Sequence, residues 1–211
     1  IGVEHGAMLN RDALLPMKCL VHTGSLAVVQ PLFNAFVAVS DVMAEEVHRT
    51  LGTRVPVYTV PNGVDTTRFT PRAQRRHGDI FRLGVGARLV AGKGVREAIL
   101  AMKPEDAGEI ELCIAGDGPQ RAELERLARD RDLAACVRFL GQVADMTAFW
   151  QSCDVAVHAA NGLRESFCLS VAEAQACGLP AIVSNAGALP SVVAHGVTGI
   201  VVRPGDIAEL R

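Results

Sequence analysis

Aromatic residues are scarce in this sequence: seven Phe, one Trp and one Tyr make up 4% of its 211 residues. Lys and Arg are scattered, and the net charge is −2. Without a basic stripe or rings to stack bases, nucleic acid is excluded as a partner. Long hydrophobic runs are lacking too. Gln30, Pro31 and Asn34, and elsewhere Gly and charges, interrupt the apolar stretches before they reach membrane-spanning length. No C-x-x-C pair occurs among Cys19, Cys113, Cys136, Cys153, Cys168 and Cys177. They sit mostly in apolar runs and read as reduced, buried thiols of a cytoplasmic protein, not as a disulfide frame or zinc site. No methionine opens the chain and no signal peptide is evident. It starts at Ile1 and stops within DIAELR, a helix hardly begun, and so reads as a fragment. What is present is an apolar fraction of 49%, ample for a core, in a length that suits one large domain or two modest ones.

IGVEHG opens the chain as a strand-like run, and residues 7–35 carry poorly punctuated helix and loop signals. FVAVS (36–40) predicts a strand. Ser40 predicts the cap of a helix over DVMAEEVHRTLG, with Asp41 early and His48 and Arg49 late, as the helix dipole favours, and Gly52 as its stop. VPVYTV (55–60) predicts another strand, closed by the turn signal Pro61-Asn62-Gly63. The polar, Arg-rich stretch 65–79 reads as an interdomain linker between a first unit, 1–64, and a second, 80–211. The second alternates throughout. Strands are expected over 81–87, 111–116, 136–141, 153–160, 180–184 and 198–205, and helices over 95–102, 120–132, 144–152, 170–177 and 188–195. Repeated βα units with short loops and apolar strands mean a parallel, doubly wound α/β sheet. Its ligands are expected at the carboxyl ends of the strands.

The loop GARLVAGKG (86–94) holds two cations, Arg88 and Lys93, among glycines ahead of a helix. That composition suits a diphosphate, and it equally suits a solvated turn with two surface charges. It is not a P-loop. Five residues separate Gly86 from Gly92, and Gly94 stands where Ser or Thr would hold magnesium. It is not a dinucleotide fingerprint either, because Leu89 falls where the third glycine belongs. AGDGP (115–119) reads mainly as a structural turn with Pro119 at the first position of the next helix. LGQV (140–143), with Val143, would offer backbone groups to a base edge. Gly187 in SNAGALP reads as packing. Glu165 and Glu173, in ESFCLSVAEAQACGLP, follow the apolar run CDVAVHAA and would face one crevice, suited to vicinal hydroxyls of a sugar and a ribose. No His or Asp joins the pair within ligand spacing along the chain, which argues against metal chemistry. Two plainer readings remain: Ser170-Val-Ala-Glu173 is a capping box, and Glu165 is a solvated charge or dipole partner. His5 falls in a loop after a strand-like run. His158 ends another and would line the same crevice as Glu165, although a packed or hydrogen-bonded histidine is the more ordinary role.

RLVAGKG, AGDGP, VRFLG, the E-x7-E element ESFCLSVAE, AxACGLPAIVSNAG and GVTGIVVRPGD occur in order, from about residue 36 to the end. Together they resemble the retaining glycosyltransferases of family 4, which have the GT-B fold of two Rossmann-like domains with parallel sheets. VSDVMAEEV and VPNGVD are similar to that family's segments at the domain border. The resemblance implies a truncated acceptor-side domain followed by a donor-side domain. It implies a nucleoside diphosphate sugar of UDP or GDP type as donor substrate, with no cofactor. Sugar, lipid or small-molecule acceptors are all compatible with it, a lipid one bringing the protein to the inner membrane face. By resemblance, Arg88 and Lys93 match the cations on the diphosphate, and Glu173 the glutamate on the ribose hydroxyls. Glu165 matches the one on the transferred sugar, with the segment Phe167, Cys168 and Leu169 approaching sugar and phosphate. His5 matches the acceptor-domain histidine through Glu4-His5-Gly6. The family's first glycine-rich loop and its returning C-terminal helix are missing. The implied reaction is retaining transfer to an acceptor hydroxyl, without a metal, because two cations stand in for one. The alternatives are a GT-B sugar-nucleotide epimerase and a non-catalytic nucleotide-sugar-binding fragment.

Overall fold

The computed structural model of the chain describes residues 2–4, 34–51, 55–73, 80–161 and 165–211. His5, Gly52 and Cys19 lie outside the described residues, as do 74–79 of the expected linker. Two parallel sheets are present. The smaller joins β1 (Gly2–Glu4), β2 (Phe36–Ala38) and β3 (Val57–Thr59) in that order. Between the last two runs α1 (Asp41–Leu51). Ser40 starts it as expected, its hydroxyl accepting from Met43 N at 3.3 Å.

The larger sheet has β4 (Phe81–Gly86), β5 (Ile110–Ala115), β6 (Val137–Gly141), β7 (Val155–His158), β8 (Ala181–Ser184) and β9 (Gly199–Val202). Their spatial order is β6-β5-β4-β7-β8-β9, all parallel. Chain order therefore runs outward from β4 to one edge, then returns to β7 and runs to the other. This is the doubly wound order with its switch point between β4 and β7, where successive crossovers run to opposite edges of the sheet and where such folds bind their ligands. Crossover helices cover both faces. α2 (Val95–Ala101) and α3 (Arg121–Asp130) pack one face through Val95, Ile99 and Leu124, joined there by Leu89, Leu112 and Ile114. On the other lie α4 (Met146–Gln151), α5 (Leu169–Ala176) and α6 (Leu189–Val192), burying Trp150, Val171 and Leu189 with Cys153 and Val183. α7 (Ile207–Leu210) closes the described chain, capped by Asp206, whose carboxylate accepts from Glu209 N at 3.0 Å.

Several boundaries differ from the sequence expectation, each for a local reason. Helix α3 starts at Arg121 with Gln120 as its cap, so Pro119 precedes the helix and is not its first residue; Gly118 N donates to Asp117 Oδ1 at 2.7 Å in the segment before it. Helix α6 is one turn long, since the backbone at Val193 becomes extended and Ala194 to Thr198 form a separate turn. The capping box at Ser170 is not formed. Helix α5 starts at Leu169 with Cys168 as its cap, so Ser170 is its second residue and Glu173 its fifth, a turn too late to reach back. The start of the expected linker is anchored to the large sheet. Phe69 is buried in its core, Gln151 Nε2 donates to Thr70 O at 2.8 Å, and Arg72 reaches Gln151 O at 3.0 Å and Asp154 at 3.3 Å.

Candidate functional site at the strand switch point

The loop after β4 is pinned by Leu89, which is fully buried. Its N–H donates to Asp117 O at 2.9 Å and its carbonyl accepts from Gln120 N at 3.0 Å. Glycines in AGDGP make that contact possible. A Cβ on Gly116 would fall 1.8 Å from Ala87 O, and one on Gly118 would fall 2.5 Å from Leu89 O. The AGDGP turn is thus the floor beneath the cationic loop. With Leu89 turned inward, its neighbour Arg88 is exposed. Farther on, Gly94 has φ +79, and a Cβ there would lie 2.1 Å from the Ala159 carbonyl carbon. Only glycine lets the loop approach the end of β7 this closely. Lys93, one residue earlier, is thereby carried across the switch point.

Opposite it, the backbone of Glu165 is clamped by the turn after β8. Ala188 N donates to Glu165 O at 2.7 Å, and a Cβ on Gly187 would lie 2.4 Å from that oxygen, so packing is indeed what Gly187 serves. Glu165 is 7% exposed, not a solvated loop charge. Its Oε1 accepts from Lys93 Nζ at 2.5 Å and lies 3.1 Å from Nε2 of His158, the last residue of β7. Burial alone would raise the Glu165 pKa, but His158 and Lys93 outweigh it and bring the carboxyl down to about 2. Burial likewise would lower the His158 pKa, and the adjoining Cys168 and Glu165 reverse this, raising it to about 9. At neutral pH the cluster is therefore a carboxylate held between an ammonium and an imidazolium. His158 Nδ1 is buried without a hydrogen-bond partner among the described residues.

Cys168 completes the cluster. It caps α5 in the left-handed region, φ 69 and ψ 72, a conformation that costs a non-glycine residue about 1–2 kcal/mol. Among the described residues, His158, Glu165 and Cys168 bring a nitrogen, an oxygen and a sulfur within 4.8 Å of one another. The expectation that no histidine comes within ligand reach of the glutamates is corrected here, while His158 is the hydrogen-bonded histidine beside Glu165 that its strand-end position suggested. His158 stands seven residues before Glu165, too far for a local motif, and the strand-to-loop fold brings it back.

Glu173 is half-buried on α5, on the side of Trp150 and Arg68 rather than in the Lys93 cluster. Burial raises its carboxyl above the usual range, against the pull of the Trp150 indole N–H and the Arg68 guanidinium. That indole nitrogen acts on the carboxyl and has no hydrogen-bond partner among the described residues. Gly86 leaves room for the same ring: a Cβ there would lie 2.8 Å from Trp150 Cζ2. Val143 and Phe167 are half-buried, and Leu169 at the start of α5 is 44% exposed. Sequence reasoning overlooked Trp150 altogether. The one available signal was its place on a crossover helix ahead of β7.

The sequence model described as "Glycosyl transferases group 1" matches residues 68–211. A D-inositol 3-phosphate glycosyltransferase of Corynebacterium jeikeium is 32% identical over 178 residues, 74% of this chain and 42% of that protein. A glycogen synthase of Mycobacterium tuberculosis is 34% identical over 184 residues, 84% of this chain and 44% of its own length. The chain thus spans less than half the length of these relatives. Among solved structures, Anabaena Alr3699/HepE in complex with UDP and glucose superposes with a TM-score of 0.76 at 25% identity, over 89% of this chain and 55% of that one. The α/β GT-B architecture expected from the sequence is the one this chain shares with such structures.

Proposed function

Because the chain belongs to the group 1 glycosyl transferases, we propose that its protein transfers a sugar from a nucleoside diphosphate sugar to an acceptor hydroxyl, with retention and without a catalytic metal. The observation that carries this reading is the Lys93–Glu165 pair joined across the switch point at 2.5 Å, with exposed Arg88 on the same loop. The relative crystallised with UDP and glucose supports a nucleotide-sugar donor of this kind. In this reading Arg88 and Lys93 meet the diphosphate, and the charge that builds on it as the glycosidic bond breaks is stabilised by them. Removing one such group typically costs about 2.7–4 kcal/mol of barrier. Glu165, ionised and clamped at both backbone and side chain, accepts from hydroxyls of the transferred sugar and fixes its orientation. Glu173 accepts from the ribose, with the segment Phe167, Cys168 and Leu169 alongside sugar and phosphate. Val143 and Gly86 border the base. His5 contributes from the acceptor side. No general base is assigned beside the acceptor. The departing phosphate oxygen takes the acceptor's proton on the face it leaves, which retains the anomeric configuration.

The test is a donor screen on the full-length protein with UDP- and GDP-sugars, reading product mass and the anomeric configuration by NMR. An inverted anomer would refute retention, and release of a free altered sugar with no acceptor would turn the reading toward an epimerase. Chelator-treated protein should keep its turnover if the chemistry is metal-independent.

A further inference from the structure

The Lys93–Glu165–His158 cluster holds a feature that sugar transfer does not use, namely the sulfur of Cys168. We propose that His158, Glu165 and Cys168 form a binding site for a borderline-soft divalent cation of the zinc class, and that the cation excludes the sugar donor from the crevice. The exclusion rests on the function proposed above; the metal site does not.

The ligand chemistry is the first support. One imidazole nitrogen, one carboxylate oxygen and one thiolate sulfur form a mixed set that suits zinc and disfavours magnesium or calcium, which take oxygen. Their atoms already lie within 4.8 Å of one another, and His158 Nε2 is 3.1 Å from Glu165 Oε1. Bonds to zinc of about 2.0–2.3 Å need only a small contraction of such a set. The three side chains come from the end of β7, the loop behind it and the cap of α5, all clamped by the packing described above. Charge is the second support. A thiolate and a carboxylate cancel the two positive charges of the ion, so a neutral site is buried, whereas a lone charge there would be strongly disfavoured. All three residues are buried. The third is that cationic groups already occupy the place. Two of them converge on Glu165 Oε1, and Lys93, whose side chain is 31% exposed, can swing outward to make way. Binding expels the thiol proton of Cys168 and the extra proton of the His158 imidazolium to solvent as the sulfur–metal and nitrogen–metal bonds form. It also strips Glu165 of the orientation needed for the sugar and moves Lys93 away from the diphosphate.

Titrating the full-length protein with Co²⁺, a spectroscopic stand-in for zinc, should produce a near-ultraviolet thiolate-to-cobalt charge-transfer band that saturates at one equivalent and is bleached by Zn²⁺. Cys168→Ser and Cys168→Gly should each abolish it, the glycine variant keeping the left-handed cap without strain. His158→Gln should weaken Zn²⁺ binding by more than the roughly 10- to 100-fold that loss of a supporting group costs. Each variant is first shown to be folded by circular dichroism. No band, or a band that survives in both Cys168 variants, would overturn the site. In calorimetry with UDP-glucose and GDP-mannose as probes, saturating Zn²⁺ should weaken by at least tenfold whichever nucleotide sugar binds the metal-free protein. Undiminished binding would overturn the exclusion. Failure of both probes without zinc bears on the donor reading alone, since the cobalt titration contains no donor.

Discussion

Replacing His158 with Gln removes the imidazolium from the buried carboxylate of Glu165, and the consequence is a change in how stability depends on pH. His158 has a folded pKa of about 9 against an ordinary value of 6.5. At 1.36 kcal/mol per pKa unit, the difference amounts to about 3 kcal/mol. A pKa raised by folding contributes stability that is fully present below pH 6.5 and is lost as pH rises through 9. Glu165 acts in the opposite sense. Its pKa falls from 4.5 to about 2, so its contribution is present above pH 4.5 and is lost as pH falls through 2. The two shifts share the His158–Glu165 contact, with Cys168 adding to the first and Lys93 to the second, so they are not summed. A plateau of stability between pH 4.5 and 6.5 follows, with an alkaline decline of about 3 kcal/mol. The assay is urea unfolding at pH 6 and at pH 10, followed by fluorescence of Trp150, the only tryptophan in the sequence, which α4 buries in the core. The wild-type advantage over His158→Gln should shrink by about 3 kcal/mol between the two pH values. An advantage that stays constant would refute the ion pair, because packing alone carries no proton linkage.

Arg88→Ala should lower kcat by about 10²–10³ with unfolding behaviour unchanged, since the side chain is exposed and its loss opens no cavity; kcat within threefold of wild type would remove it from the diphosphate. Glu173→Gln should raise KM for the donor more than it lowers kcat, as expected for a ribose contact made equally in ground and transition states; an unchanged KM would return Glu173 to a structural part. Gly94→Ala should destabilise by about 3 kcal/mol or more, adding the left-handed penalty to a Cβ 2.1 Å from backbone that cannot yield; a thermal scan showing no loss would contradict the close approach. Phe69→Ala should cost about 3–5 kcal/mol if residues before 74 are anchored in the large sheet's core; a change under 1 kcal/mol would make that stretch a linker after all.

Much of the fold was legible because β5, β7 and β8 are largely buried on both faces and therefore read as continuous apolar runs, with helix periodicity between runs. Strand edges read less well. CDVAVHAA stays apolar for residues on either side of Val155–His158, because Cys153, Ala159 and Ala160 are buried as well, without pairing in the sheet. The capping box at Ser170 was a misreading of a sound pattern. Ser170 and Glu173 have the right spacing, but Cys168 takes the cap in a conformation that sequence statistics assign to glycine.

From the sequence alone came the doubly wound architecture, the family resemblance, and the residue types at the crevice: two cations on a glycine loop and two glutamates eight apart. These are properties of chain order and local spacing, and they survive in one dimension. What only the tertiary structure decided is which of them touch. Lys93 and Glu165 are 72 residues apart in sequence and 2.5 Å apart in space, because β4 and β7 became neighbours and their loops turn toward each other at the switch point. Glu173, nearer to Glu165 along the chain, went to Trp150 and Arg68 instead, carried round by the turn of α5. His158 and Cys168 joined Glu165 for the same reason, since a strand end, a returning loop and a helix cap converge there. Partners, burial and ionisation states follow from that convergence and have no signature in residue spacing.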